Sequence, residues 1–93
     1  MKILLTGASG FIGTKLITYL RSKKHTVYGI SKKKINSTNI FPISLLDIDK
    51  LNTIFNKTKF DVVIHLAGLL DSTATPKEIF QNNCLGTLNL LEC

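Results

Sequence analysis

Ile3, Leu4 and Leu5 form an unbroken apolar run that follows one lysine and stops at Thr6. A run this short, without polar alternation, predicts a central strand of a parallel sheet, buried on both faces. Past residue 10 the apolar positions change period. Phe11, Ile12, Leu16, Ile17 and Leu20 recur at helical spacing while Lys15, Thr18 and Arg21 fall on the other side, which predicts a helix packed on the sheet through those five. Residues 26–30 (Thr-Val-Tyr-Gly-Ile) predict a second strand, and the polar segment 32–39 leads to a third near residues 40–43. Pro42 removes a ladder donor, so the third strand belongs at a sheet edge. Asp47 is placed to cap a helix whose apolar stripe is Leu51, Ile54 and Phe55. Residues 62–66 predict a fourth strand. Pro76 suits the first turn of a last helix, over about 77–92, with Ile79, Leu85, Leu88 and Leu91 as its core positions.

Strands alternating with helices predict an α/β fold with a doubly wound parallel sheet, and right-handed crossovers set the strand order 3-2-1-4. The link between the second and third strands is short for a crossover helix and reads as a loop or a single turn. No internal repeat or linker divides the chain, so residues 1–93 read as one domain.

Between the first strand and first helix stand Gly7, Gly10 and Gly13. Each glycine has its own task in a turn that holds a dinucleotide. Gly7 lets the chain leave the strand in a conformation closed to side chains, Gly10 lets a diphosphate approach the main chain, and Gly13 lets the helix pack on the sheet. The free N–H groups of the helix's first turn then face the phosphates.

Thr6-Gly-Ala-Ser-Gly-Phe-Ile-Gly13 resembles the cofactor motif of the extended short-chain dehydrogenase/reductase family, the NAD-dependent epimerases, dehydratases and reductases of nucleotide sugars. Asp61-Val-Val-Ile-His-Leu-Ala-Gly68 looks like the family's fourth strand, and Asn83-Cys-Leu-Gly-Thr-Leu-Asn-Leu-Leu-Glu92 like its next helix. The resemblance spans the whole chain. It implies the N-terminal part of a Rossmann-like, NAD(P)-binding domain, with Gly7, Ser9, Gly10, Phe11, Ile12 and Gly13 at the cofactor. It also implies that Leu66, Ala67 and Gly68 approach the ribose and nicotinamide side.

The end of the second strand selects the cofactor. A carboxylate there would hold the ribose hydroxyls of NAD, whereas basic groups accommodate the 2′-phosphate of NADP. Ser31-Lys-Lys-Lys34 contains no acid, so NADP is favoured over NAD, with Ser31, Lys32 and Lys33 as the contacts; a solvated basic turn is the plain alternative. After the third strand, Ser44-Leu-Leu-Asp47 aligns with a family motif whose first residue is an aspartate contacting adenine. Here Ser44 stands in that place beside Leu45, with Asp47 as the helix cap; a shifted register would give the adenine contact to Asp47. Asn83, matched to the family's asparagine, would bind the cofactor or tie its helix to the neighbouring strand. His65 reads as a packed strand residue more readily than as a catalytic one.

The family's chemistry uses a tyrosine four residues before a lysine, with a serine or threonine. Tyr19 and Lys23 match that spacing, as do Tyr28 and Lys32, but neither pair reaches a nicotinamide. Tyr19 lies on the first helix, about 10 Å from the phosphate end. Tyr28 lies inside a strand on the adenosine side. No catalytic residue is assigned, and the chain is expected to be inactive alone; a complete form would act on a nucleotide sugar. A non-catalytic NADP-binding or redox-sensing module is the alternative.

Charge narrows the partners. Twelve Lys and Arg against six Asp and Glu give a net charge of +6, which suits an anion. Half of the basic residues (Arg21, Lys23, Lys24, Lys32, Lys33, Lys34) lie between 21 and 34. No aromatic interleaving or recognition helix accompanies them, so the anion is read as a nucleotide rather than nucleic acid. Cys84 and Cys93 lack metal spacing and suggest a reducing compartment. With no secretory leader or membrane-length apolar run, a cytoplasmic location is expected, and no metal site. An uncovered fourth strand would favour self-association through the sheet edge.

Overall fold

The first strand sits at the centre of the sheet. In a computed structural model that describes residues 1–68 and 73–93, β1 (Lys2–Thr6) pairs in parallel with β2 (Thr26–Ser31) on one side and β4 (Val62–His65) on the other. β3 (Ile40–Pro42) continues the sheet beyond β2. The order β3-β2-β1-β4 agrees with the prediction and leaves Pro42 on an edge strand. Asp61 fixes the start of β4: its carboxylate accepts the Lys2 N–H at 2.7 Å, and its own N–H donates to the Lys2 carbonyl at 2.8 Å.

Ile3, Leu4 and Leu5 are all buried, and the pleat sends neighbours to opposite faces. Leu4 joins Ile30, Leu45, Leu51 and Leu90 on one face; Leu5 joins Ala8, Ile17, Val27 and Ile40 on the other. α1 (Phe11–Ser22) contributes Ile17 to the second cluster. α2 (Ile48–Lys57) contributes Leu51 to the first. Burying Leu4, Leu5 and Leu51 contributes about 1.5–3 kcal/mol each. Behind Leu4 an aromatic chain links the elements, Phe41 stacked on Tyr28 at 6.3 Å and Tyr28, Phe60 and Phe55 meeting edge to face.

Two of the five residues predicted to seat α1 do not touch the core. Phe11 is 77% exposed and Ile12 64%, whereas Ile17 is buried and Leu16 and Leu20 partly so. The helix begins beyond the end of β1, where the packing partner is the main chain of the glycine turn rather than the sheet face. α1 closes with the N–H of Lys24 bonded to the Arg21 carbonyl and that of His25 to Leu20. This is a Schellman stop, with Lys24 at φ 66° in the position glycine usually fills.

Asp47 caps α2 as expected, its carboxylate accepting the Lys50 N–H at 3.2 Å. The last helical segment departs from the expected uniform helix. α3 (Pro76–Phe80) runs into a π-helical turn, Gln81–Leu85, and then α4 (Gly86–Glu92). Pro76 takes a first-turn position, and Thr75 with Glu78 forms a capping box ahead of it. Leu90, 8% exposed, is the core residue of α4; Leu91 is 78% exposed, and Leu85 and Leu88 face outward too. A π turn inserts one residue into the helical repeat, and one residue is about 100° of rotation. The buried positions of α4 are Gly86 and Leu90, four residues apart on one face, and not the predicted Leu85, Leu88 and Leu91.

Candidate functional site

Gly7 leaves β1 at φ +73°, and the Thr6 hydroxyl before it accepts the Leu66 and Ala67 N–H groups at the end of β4. A Cβ on Gly7 would lie 2.9 Å from the Ala67 nitrogen, and one on Gly13 only 2.0 Å from the Gly7 carbonyl oxygen. The turn is therefore pressed between α1 and the β4 exit with no room for a methyl group on either side. Gly10 is the N-cap of α1, which has no acidic residue in its first turn. The first N–H groups of that helix have no intrahelical acceptor and present positive charge.

A cleft of about 310 Å³ opens at the carboxyl ends of β1, β2 and β4. Of the residues singled out from sequence, Gly7, Ser9, Gly10, Ser31, Lys32, Lys33, Leu45, Leu66, Ala67 and Gly68 line it. Ile30, Ile43 and Asn82 complete the wall. Ser31 is buried, and its hydroxyl accepts the Lys33 N–H at 3.1 Å, which shapes the basic turn. The Lys32 ammonium crosses to the π turn and donates to the Asn82 carboxamide oxygen.

The remaining candidates lie outside that wall. Phe11 and Ile12 flank it on the exposed first turn of α1, and Gly13 is buried beneath. The Ser44 hydroxyl accepts the Leu46 N–H at 3.2 Å and turns the chain into α2. Asp47 is engaged in its cap and in a 3.7 Å contact with Lys50, so the cleft receives Leu45 from this segment and neither polar neighbour. Asn83 lies beside Gly68, where an added Cβ would stand 3.8 Å from its Oδ1. Asn82, on the π turn, is the residue that sequence reasoning missed. His65 stands behind the wall, bridging Thr6 and Thr87.

Neither tyrosine lines the cleft. Tyr19 is exposed on α1 beside Lys23, and Tyr28 is held in the aromatic chain. The basic cluster also divides. Arg21 donates to the Val27 and Thr38 carbonyls at 3.2 and 2.6 Å, at the opposite end of β2 from Lys32 and Lys33. Burial, aided by the Glu92 charge, pushes the Cys93 thiol above its ordinary pKa.

A glycine turn and a cleft at the carboxyl ends of a parallel sheet, where neighbouring strands depart in opposite directions, form the usual ligand crevice of doubly wound folds. The sequence model of the NAD dependent epimerase/dehydratase family matches residues 3–93. The chain belongs to this family. Among its family relatives, a UDP-glucose 4-epimerase of Pisum sativum is 35% identical over 112 residues, covering 98% of this chain and 32% of the relative. That match is longer than the 93 residues of the chain, so the relative carries additional residues within it. The UDP-glucose 4-epimerase of Thermus thermophilus in complex with NAD superposes with TM-score 0.88 at 27% identity, covering 99% of this chain and 33% of that one. L-threonine dehydrogenase of Clostridium difficile superposes at 0.85 with 32% identity, covering 98% and 32%. The family chain therefore spans about a third of the length of these relatives. Among the described residues, no helix is long and apolar enough to cross a membrane.

Proposed function

We propose that this family chain is the dinucleotide-binding portion of a nucleotide-sugar epimerase, dehydratase or reductase, and that it binds NADP in preference to NAD. The observation that carries the reading is the cleft itself. Its floor is the glycine turn, one wall is the basic turn of Lys32 and Lys33, and the small residues Ala67 and Gly68 close the far side. These residues fit a dinucleotide, since a Cβ at Gly7 or Gly13 would fill the cradle. Neighbours solved with NAD and with UDP-glucose support the cofactor and the substrate class. The NADP preference rests on the two lysines and on the absence of a carboxylate among the described residues that line the cleft. A 2′-phosphate meeting one or two ammonium groups gains charge-assisted hydrogen bonds that a plain ribose lacks. A cytoplasmic location rests on the cysteine usage.

Calorimetric titration with NADPH and NADH tests this. NADPH is expected to bind about tenfold more tightly, the equivalent of one charge-assisted contact. Equal affinities would remove the preference, and absence of binding would remove the cofactor reading. With Tyr19 and Tyr28 both away from the cleft, the chain alone is expected to show no substrate-dependent oxidation of NADPH. The exposed Val62 and Val63 on the outer strand β4 support self-association. Light scattering should show species larger than the monomer, shifted toward monomer by Val63→Lys; a monodisperse wild-type monomer would refute this.

A further inference from the structure

Thr6 is fully buried and its hydroxyl makes three contacts. The N–H groups of Leu66 and Ala67 both approach Oγ1 at 3.1 Å, and His65 Nδ1 lies 2.5 Å away. On its other side His65 Nε2 lies 2.9 Å from Thr87 Oγ1, and that hydroxyl donates to the Asn83 carbonyl at 2.6 Å. A hydroxyl has one proton and two lone pairs. In Thr6 the two backbone N–H groups occupy the lone pairs, so the proton is donated to Nδ1.

We infer that His65 is held as the neutral tautomer protonated on Nε2, and that it is a positioning residue locking three walls of the cleft together. The relay then runs in one direction, from Leu66 and Ala67 N–H through Thr6 O–H to Nδ1, and from Nε2–H through Thr87 O–H to the Asn83 carbonyl. The opposite polarity fails at two joints. An Nδ1–H would leave the buried Thr6 proton without an acceptor among the described residues. A bare Nε2 would call on the Thr87 proton, which Asn83 already takes. The Leu66 N–H is also 3.3 Å from the Thr6 carbonyl, and sharing it there would relieve neither joint. One imidazole thus fixes the glycine turn through Thr6, the Leu66–Ala67 exit of β4, and the π turn through Thr87.

Long-range ¹H–¹⁵N spectra of the chain read the tautomer directly, and His25→Gln leaves His65 as the only imidazole. A bare Nδ1 and a protonated Nε2 are expected. A protonated Nδ1, or the averaged signals of a freely exchanging ring, would overturn the inference. Amide hydrogen exchange reads the positioning role. His65→Asn places a carboxamide oxygen where Nδ1 lies and keeps the acceptor for Thr6, so Leu66 and Ala67 are expected to remain protected. His65→Gln abandons it, and exchange at both amides should rise about tenfold, one hydrogen bond's worth. Equal loss in the two variants, or loss in neither, overturns the positioning role. Should His65→Gln fail to fold, the wild-type tautomer and the His65→Asn protection still decide. The consequence for binding rests on the dinucleotide reading: NADPH affinity should follow the same ranking. Absence of NADPH binding by the wild type would defeat that reading alone, because the spectra and the exchange rates need no cofactor.

Discussion

Gly13→Ala is expected to destabilise the chain by about 3 kcal/mol and to abolish dinucleotide binding. The added methyl would stand 2.0 Å from the Gly7 carbonyl oxygen, 3.0 Å from its carbon and 3.3 Å from the Ala8 Cα. All three neighbours are main chain, so no rotamer change relieves the overlap. The turn has no slack in the other direction, since Gly7 lies against the Leu66 and Ala67 backbone. Moving α1 outward is the remaining escape, and it withdraws Ile17 from its cluster and misaligns the first-turn N–H groups. A domain of this size has on the order of 5–15 kcal/mol of stability in total, so the loss should appear as a clear drop in urea midpoint. Gly10→Ala separates the two effects. Its methyl meets one atom, the Gly7 oxygen, at 3.3 Å, and the stability cost should stay below about 1 kcal/mol while binding at the cleft still weakens. A Gly13→Ala chain with the wild-type urea midpoint would show that α1 is not seated through this contact.

The same contact shows what could be read from sequence. The strand order follows from strands alternating with helices and from right-handed crossovers, and the location of the turn from the glycine spacing, which acts through local backbone geometry. The Asp47 cap belongs to the same class, a side chain bonding the main chain three residues away. The basic turn at Lys32 and Lys33 was visible as charge, but its link to Asn82 was not, since the partner lies fifty residues on. Phe11 and Ile12 were assigned to the core by periodicity alone. Periodicity reports which side chains share a helix face and says nothing of where the sheet ends beneath it. The bridge from Thr6 through His65 to Thr87 was hidden for a related reason. Each residue is ordinary in its own segment, and the meaning comes from donor and acceptor counts across three segments.

The second large effect is a contrast between adjacent leucines on α4. Leu90→Ala is expected to cost about 2–4 kcal/mol, and Leu91→Ala less than about 0.5 kcal/mol. Leu85, Leu88 and Leu91 recur every third residue along one side of the segment, and all three are exposed. Leu90, on the buried face of α4 with Gly86, enters the cluster with Leu4, Ile30, Leu45 and Leu51. Gly86, one turn earlier, lies against Leu45, with 3.1 Å from its would-be Cβ to the Leu45 Cβ. Asn89 reinforces the same face by donating to the Leu45 carbonyl at 2.9 Å. Truncating Leu90 therefore opens a cavity between β1, α2 and α4, where close backbone contact limits collapse. At about 4–8 °C per kcal/mol for a domain of this length, the melting temperature should fall by roughly 10–25 °C for Leu90→Ala and hardly move for Leu91→Ala. The reverse ranking would mean that Leu91, and not Leu90, faces the core.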